Sequence, residues 1–400
     1  FMPQAFEGIR IIDFSQVLAA PFAVMQLALL GAEVIKIEQP VGGDQTRGLM
    51  NIGEDQGLSP SFLAMNLNKQ SLTLNLKTPQ AVDIIKQLIA TTDVLVENFK
   101  AGTMERLGLG YDDLKAIKPD LIYCSVTGYG QTGPKAGEAA YDGAIQAASG
   151  MMSQNGHEQT GPTRTGYMPV DMSTGLNTAF SISAALFRRA NTGLGQRIDV
   201  AMMDTAIVMQ APQYSNFLNQ GNLLGLMGNA SPTRQPTANV FATKDSFVQI
   251  VALRQPQVEK LFAALEASHL LELEAFASPQ ARLDNYIEVG QALTDLIKLE
   301  TTSHWMVKLS AIGIPTAEIR GLAEVIDDPQ FDYRAVFETL PHPIDDTKVF
   351  TVVKAGYLLD ADGPMVRNIP PLLGQDTTSV LTALGYNESQ IASLRQQGIC

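Results

Sequence analysis

The sequence predicts an α/β protein: a large parallel-sheet domain and a smaller α+β domain. Three observations lead there. Short apolar runs of strand length alternate with helix-period segments through residues 1–130. A stretch rich in Gly and Pro interrupts the chain at residues 221–239. The length of 400 residues also exceeds what one ordinary core organises.

Ile9–Phe14 is a short apolar strand. Residues 17–32 are the most apolar run, but Pro21 and Gln26 interrupt it and it is short for a bilayer, so it reads as a core helix. Pro21 can open that helix at its first position and Gly31 can close it. Glu33–Glu38 is the next strand, completing a βαβ unit whose crossover implies parallel neighbours. Ser71–Leu76 alternates like a strand, and Thr78-Pro79 supplies a cap and first residue for a helix over 79–91. Asp93–Asn98 and Leu121–Val126 are further buried strands. Residues 1–130 therefore read as a doubly wound, Rossmann-like layer. Gly128-Tyr-Gly130-Gln-Thr-Gly133 spells G-x-G-x-x-G after a strand, yet Pro134 and Gly137 follow at once. No helix N-terminus is left for a pyrophosphate, and the site is not the first βα turn, so a bent loop is expected.

Gly166-Tyr-Met-Pro-Val-Asp171-Met-Ser-Thr-Gly175 comes next. Pro169 biases its neighbours towards extended backbone, so the amphipathic run Leu176, Ala179, Phe180, Ala184, Leu186, Phe187 is expected to become a helix just after Asp171. As an N-cap, Asp171 would lie beside free N–H groups and the positive dipole end. At an exposed terminus that favours the ionised form by ~0.3–1 kcal/mol. The helix closes at Gly193 and Gly195, which turn into a strand reaching Val200, followed by Met203-Asp204-Thr-Ala. Beyond the glycine-rich stretch lie a hairpin (Val240–Thr243, Phe247–Leu253) and helical patterns at 256–266, 281–299 and 303–312. A strand at 348–354 and a helix pair at 376–397 end the chain, the pair expected to pack back onto the first domain.

Composition narrows the function. Hydrophobic content of 45% and charged content of 17% describe a globular protein. A net charge of −13 argues against nucleic acid or an anionic membrane as partner. A phosphorylated ligand would have to be met by a few local cations and backbone N–H groups. The two cysteines, Cys124 and Cys400, make neither a disulfide framework nor a metal site, and a reducing cytoplasm fits. Cys124, inside a strand pattern, is expected to be buried and inert. The stretch from Phe1 has no basic region or cleavage site, so no secretory leader is expected. His157, His269, His304 and His342 are scattered outside these motifs, against a Ser-His-Asp or Cys-His hydrolase.

The Asp-x-x-x-Gly at 171–175, the Thr-Gly-x-Gly-Gln at 192–196 and the Met203-Asp204 ending resemble the family III coenzyme A transferases, the CaiB/BaiF type that includes formyl-CoA transferase. Gly42–Arg47, Asn68–Ser71, Val96–Phe99, Gly102–Gly110 and Gly128–Pro134 look like further blocks of the same family in the same order. The resemblance implies that Asp171 is the nucleophile. It implies a coenzyme A cleft lined by Leu18, Ala19, Leu74, Asn75, Lys77, Asn98, Phe99, Arg106 and Tyr141. Lys77 and Arg106 are cations able to meet phosphates, Asn98 offers a donor and an acceptor, and Phe99 a flat apolar surface. Acyl-CoA and a small carboxylic acid are then the substrates, with no tightly bound cofactor and no metal.

The chain departs from the formyl-CoA transferase pattern at Gln39 and Ala139, which stand where an arginine and a lysine contact the cofactor; Lys135 or Arg47 are the cations placed to compensate. Leu226–Pro232 carries one glycine where those enzymes have a glycine-rich loop over the acyl site, so formate–oxalate exchange is not expected. Short dicarboxylates such as succinate, frequent in the family, are the expected acids. An aspartate with an ordinary pKa of about 3.9 is already an anion at neutral pH and needs no base to attack. The same fold hosts α-methylacyl-CoA racemases, whose shuttling histidine falls where Tyr141 stands, and a tyrosine is a poor shuttle at neutral pH. A nucleotide-dependent dehydrogenase would need the first-turn fingerprint that is missing, and a non-enzymatic acyl-CoA-binding protein would not need Asp171. The resemblance also implies an interlocked homodimer, with a large CoA-binding domain of residues 1–225 and 325–400 and a small α+β domain of residues 226–324.

Overall fold

The computed structural model describes residues 3–49 and 57–400. The reading that no secretory leader is present begins at Phe1 and Met2, which lie outside the described residues. The described chain forms two compact units. One gathers the residues up to Met151, Thr165–Ser215 and Pro329–Cys400; the other gathers Met152–Arg164 and Asn216–Asp328.

The first unit is built on a six-stranded parallel sheet. Its elements are β1 (Arg10–Asp13), α1 (Ala19–Leu29), β2 (Glu33–Glu38), β3 (Lys69–Thr73), α2 (Pro79–Ile89), β4 (Val94–Glu97), α3 (Thr103–Arg106) and β5 (Ile122–Thr127). They continue as α4 (Asp142–Ala148), α5 (Pro169–Thr192), β6 (Gln196–Ala201) and α6 (Met202–Met209). The strand order is β3-β2-β1-β4-β5-β6, and every neighbouring pair is parallel. Alternate residues face opposite sides of a strand, and the core divides accordingly. Ile12, Ile35, Leu72, Leu95 and Tyr123 pack with Ile84, Ile85 and Leu88 of α2. Ile11, Val34, Val94, Ile122 and Cys124 pack on the other face with Val24 and Leu27 of α1 and Ile182 and Ala185 of α5. A sheet buried on both faces needs apolar residues at consecutive positions, which is why these strands read as continuous apolar runs.

The sheet extends past the first 130 residues because β6 pairs with β5 in parallel register, Gln196 opposite Ile122 and Ala201 opposite Thr127. The third strand lies earlier than the alternation at 71–76 suggested. Lys69 opens it opposite Val34, and the Asn75 N–H turns away to the Ile399 carbonyl at 2.7 Å. The closing helices α7 (Thr377–Ala383) and α8 (Glu388–Gln396) bury Val380, Leu381, Ile391 and Leu394 against the α2 face, as expected of the amphipathic tail. The hairpin Phe337–Pro341 with Val349–Val353 adds a strand that sequence periodicity did not mark.

The second unit holds an antiparallel three-stranded sheet with Phe247–Val251 at its centre, between Ala238–Ala242 and Thr316–Glu318. Helices Gln255–Ala264, Tyr286–Ile297 and Thr302–Ala311 cover it, and Trp305 is buried with its indole N–H on the Ile297 carbonyl at 2.7 Å. The helix expected over 281–299 is two pieces, Pro279–Asp284 and Tyr286–Ile297, broken where Asn285 leaves helical geometry. The hairpin Gly156–His157 with Gly161–Pro162 belongs to this unit, and the loop from Met227 is tied to it: the Met227 N–H donates to the Gln154 carbonyl at 3.0 Å. No described helix is long and apolar enough to cross a membrane.

Candidate functional site

In an open parallel sheet, ligands bind beyond the carboxyl ends of the strands, where the strand order reverses. Here the order reverses between β1 and β4. A cavity of about 330 Å³ lies at that place. Gln16–Ala19 follow β1 into it, Asn98–Lys100 follow β4, and Val126–Gly128 end β5. Tyr141 and Asp171 complete the walls with Gln45, Ala140 and Met202.

The turn after β1 is held in an uncommon shape. Val17 has φ +71°, a left-handed conformation that costs a β-branched residue about 1–3 kcal/mol. Buried polar groups hold it there. Its N–H donates to Asp44 Oδ1 at 3.2 Å, and Asp44 pairs with Lys36 at 2.8 Å with both side chains fully buried. Lys36 also donates to the Ser15 carbonyl at 2.6 Å. Beneath them Lys69 pairs with Asp13 at 2.9 Å, again fully buried. From the β4 side, Asn98 accepts the Gln16 N–H and donates to the Gln16 carbonyl, both at 2.8 Å.

Asp171 stands half-buried on the opposite wall. It is not the helix cap that its sequence context suggested. Proline has the φ of a first helical residue, so α5 begins at Pro169 and Asp171 is its third residue. The capping carboxylate comes from α4: Asp142 Oδ2 accepts the N–H of Val170 at 2.8 Å and of Asp171 at 3.0 Å. The dipole argument for easy ionisation is therefore reversed. Burial, and then the charge of Asp142, push the Asp171 carboxyl up to about 6. It remains mostly ionised at neutral pH, but less so than an exposed aspartate. One turn along, Gly175 lets α5 meet α1 closely: a Cβ there would lie 2.6 Å from the Ala19 carbonyl oxygen and 2.7 Å from the Phe22 ring.

The cavity thus brings together Asp171, Leu18, Ala19, Asn98, Phe99 and Tyr141. Tyr141 is 66% exposed, and Phe99 meets Phe14 edge-on at 6.4 Å. The amide of Asn98 is occupied by the Gln16 backbone. Four expected residues lie outside the cavity walls. Leu74 is buried in the α2-side core, Asn75 turns towards Ile399, and Lys77 is exposed. Arg106 is also exposed and donates to Thr103 Oγ1 at 2.9 Å. Arg47 cannot stand in for a missing cation, because it is 2% exposed, paired with both oxygens of Glu38 at 2.7 Å and stacked on Phe62. Lys135 is exposed beside Glu138.

Sequence reasoning passed over Lys100, an exposed cation on the cavity wall directly after Val96–Phe99. It also passed over Gln16, Val17 and Asp142. The signal for the first three was their place just beyond the end of a strand; nothing local marked Asp142. The glycine-rich loop after β5 is bent, as expected. Its Gly130 N–H donates to Thr127 Oγ1 at 2.9 Å and its Gln131 N–H to the Asp199 carboxylate at 3.0 Å, a carboxylate where a pyrophosphate would need a donor. Cys124 is fully buried, and burial pushes its thiol up, which suits an inert core residue.

The profile of CoA-transferase family III matches residues 6–377. The human succinyl-CoA:glutarate CoA-transferase is 35% identical, the match covering 98% of this chain and 89% of that one. The formyl-CoA:oxalate CoA-transferase of Streptomyces avermitilis is 33% identical, with both chains covered in full. A CaiB/BaiF family protein from Brucella suis has a crystal structure that matches with a TM-score of 0.84 at 32% identity, over 96% of this chain and 100% of that one. A parallel sheet whose carboxyl edge opens beside Asp171, and full-length likeness to enzymes of one group, have a common explanation: this chain belongs to CoA-transferase family III.

Proposed function

We propose that the enzyme moves coenzyme A from an acyl-CoA to a free carboxylic acid by passing the acyl groups and the coenzyme through the side chain of Asp171. The observation that carries this reading is the placement of a half-buried carboxylate on the wall of the switch-point cavity, with no histidine among the described residues that line it. An Oδ of Asp171 attacks the thioester carbonyl; the C–S bond breaks and the electron pair leaves on sulfur, giving a mixed anhydride and CoA thiolate. The thiolate attacks Cγ of Asp171, which expels the first acid as its carboxylate and leaves an aspartyl-CoA thioester. The acceptor carboxylate attacks that Cγ in turn and frees the thiolate. Attack of the thiolate on the acceptor's acyl carbon yields the new acyl-CoA and restores the Asp171 carboxylate. One thioester replaces another, so the task of the site is to exclude water while the anhydride exists.

Leu18, Ala19, Asn98, Phe99 and Tyr141 shape the cleft for the coenzyme. Lys100, with Lys77, Arg106 and the neighbouring Asn75 further along the same edge of the sheet, meets its phosphate end, while the buried Leu74 supports that edge from the core. Short dicarboxylates are the substrates, succinyl-CoA with glutarate first among them, as the names of the relatives suggest. Helix α5 leaves Leu176, Phe180 and Phe187 56%, 75% and 73% exposed, apolar surface that supports an interlocked homodimer. Residues 1–225 and 325–400 serve as its CoA-binding domain and 226–324 as its small domain, although Met152–Arg164, residues 216–225 and residues 325–328 gather with the second compact unit. The free cysteines suit a reducing cytoplasm.

The test is a panel of CoA esters crossed with carboxylates, read by mass spectrometry. Transfer of CoA to the added acid supports the proposal. Exchange of the α-proton of a 2-methylacyl-CoA without any transfer would instead assign a racemase.

A further inference from the structure

We infer that Asp142 is a positioning residue for the reaction: it takes up the free donors at the start of α5 and sets its own charge behind Asp171, so that acylation of the nucleophile is more favourable than it would be without that charge. The inference rests on the reading of Asp171 as the nucleophile.

A helix start normally offers N–H groups to a carboxylate placed there. At α5 none is left. Pro169 has no N–H, those of Val170 and Asp171 both donate to Asp142 Oδ2, and that of Met172 donates to the Met168 carbonyl at 3.1 Å. Asp142 is 4% exposed, and its other oxygen accepts the side-chain amide of Gln146. All three contacts are donated to it, as suits a carboxylate. Among the described residues no donor is hydrogen-bonded to the carboxylate of Asp171. The helix terminus that would have steadied an anion at position 171 therefore steadies the one at 142.

The consequence follows from the chemistry. When Asp171 attacks, its Oδ–carbon bond forms, the thioester C–S bond breaks, and the negative charge leaves on sulfur. The carboxylate becomes a neutral acyl group. A fixed negative charge next to it raises the energy of the anion and leaves the neutral product nearly untouched, so the difference favours acylation. The carboxyl at 171 held at about 6, by burial first and Asp142 second, agrees with this. The other charged or titratable groups on elements packed against α5 are few. Helix α1 carries none, α4 only Asp142, α6 only Asp204, β5 Tyr123 and Cys124, and β6 Arg197 and Asp199; the cavity adds Tyr141 and Lys100.

Asp142→Asn tests this directly, because an amide oxygen can still accept both N–H groups while the charge is lost. The carboxyl of Asp171 is titrated by 13C NMR in the full-length enzyme, and the acid limb of kcat/KM is followed with succinyl-CoA and glutarate. The expected result is that both midpoints fall by about one pH unit and turnover at neutral pH falls roughly ten-fold. A merely structural role would lower turnover without moving the titration. Protected amides at Val170 and Asp171 with an unmoved Asp171 titration would overturn the inference. The wild-type enzyme supplies a second measurement that needs no variant: a midpoint near the ordinary 3.9 of an aspartate would equally overturn it. Failure of the nucleophile reading is seen elsewhere, as turnover without any acylation of residue 171, and is separable from both results.

Discussion

Asn98 and Gln16 hold each other by a reciprocal pair of hydrogen bonds, 2.8 Å in each direction, across the place where β1 and β4 part. The side chain of one satisfies both backbone groups of the other. This fixes the turn that carries Val17 and Leu18 to the strand opposite it, and closes one wall of the cavity.

Replacing Asn98 by Ala leaves a donor and an acceptor of Gln16 without partners in a half-buried place. The expected cost is about 1–3 kcal/mol, concentrated in the turn and not spread over the fold. Amide exchange at residues 15–18 should accelerate more than exchange in β5, and KM for acyl-CoA should rise. Uniform acceleration across the sheet would show that Asn98 supports the whole unit.

Gly175→Ala probes the fit between α5 and α1. Its methyl would press on the Ala19 carbonyl, which as backbone cannot swing aside, so the helices must separate near Asp171. Denaturant unfolding should show a loss of about 1–3 kcal/mol, and turnover should fall with it. Wild-type stability and turnover together would mean that the two helices separate freely.

The ion pairs beneath the turn make stability depend on pH. Burial works against the charge of Asp13, but Lys69 and then Lys36 outweigh it and hold the carboxyl below its ordinary value. Asp44 is lowered in the same way, burial being outweighed by Lys36. A carboxyl lower in the folded than in the unfolded chain contributes stability that is complete above pH about 4 and is lost as pH falls through the folded value. Lys69→Met should begin that loss at higher pH, because Asp13 stays buried with its nearest cation gone. Urea midpoints measured from pH 7 down to pH 3 check this. Identical curves for variant and wild type would contradict it.

What the sequence made legible, and what it did not, follows from the range of the forces involved. β1, β2, β4 and β5 could be read within a residue or two, because a strand buried on both faces must be apolar at consecutive positions. Asp171 stood out because proline and glycine frame it. Asp142 did not, because its work is done on the backbone of residues 28 and 29 positions away, and no local pattern records such a bond. The same holds for Asp44, which steadies Val17 from 27 residues downstream. Arg47 looked like a spare cation in sequence; only packing shows it enclosed by Glu38 and Phe62.

The most direct measurement asks whether residue 171 carries the acyl group. The enzyme is incubated with succinyl-CoA and hydroxylamine, digested, and analysed by mass spectrometry. The expected result is a hydroxamate on Asp171, formed with loss of activity and absent from Asp171→Asn. Thioester exchange that proceeds undiminished in Asp171→Asn, with no modified carboxyl at 171 in the wild type, would contradict the account.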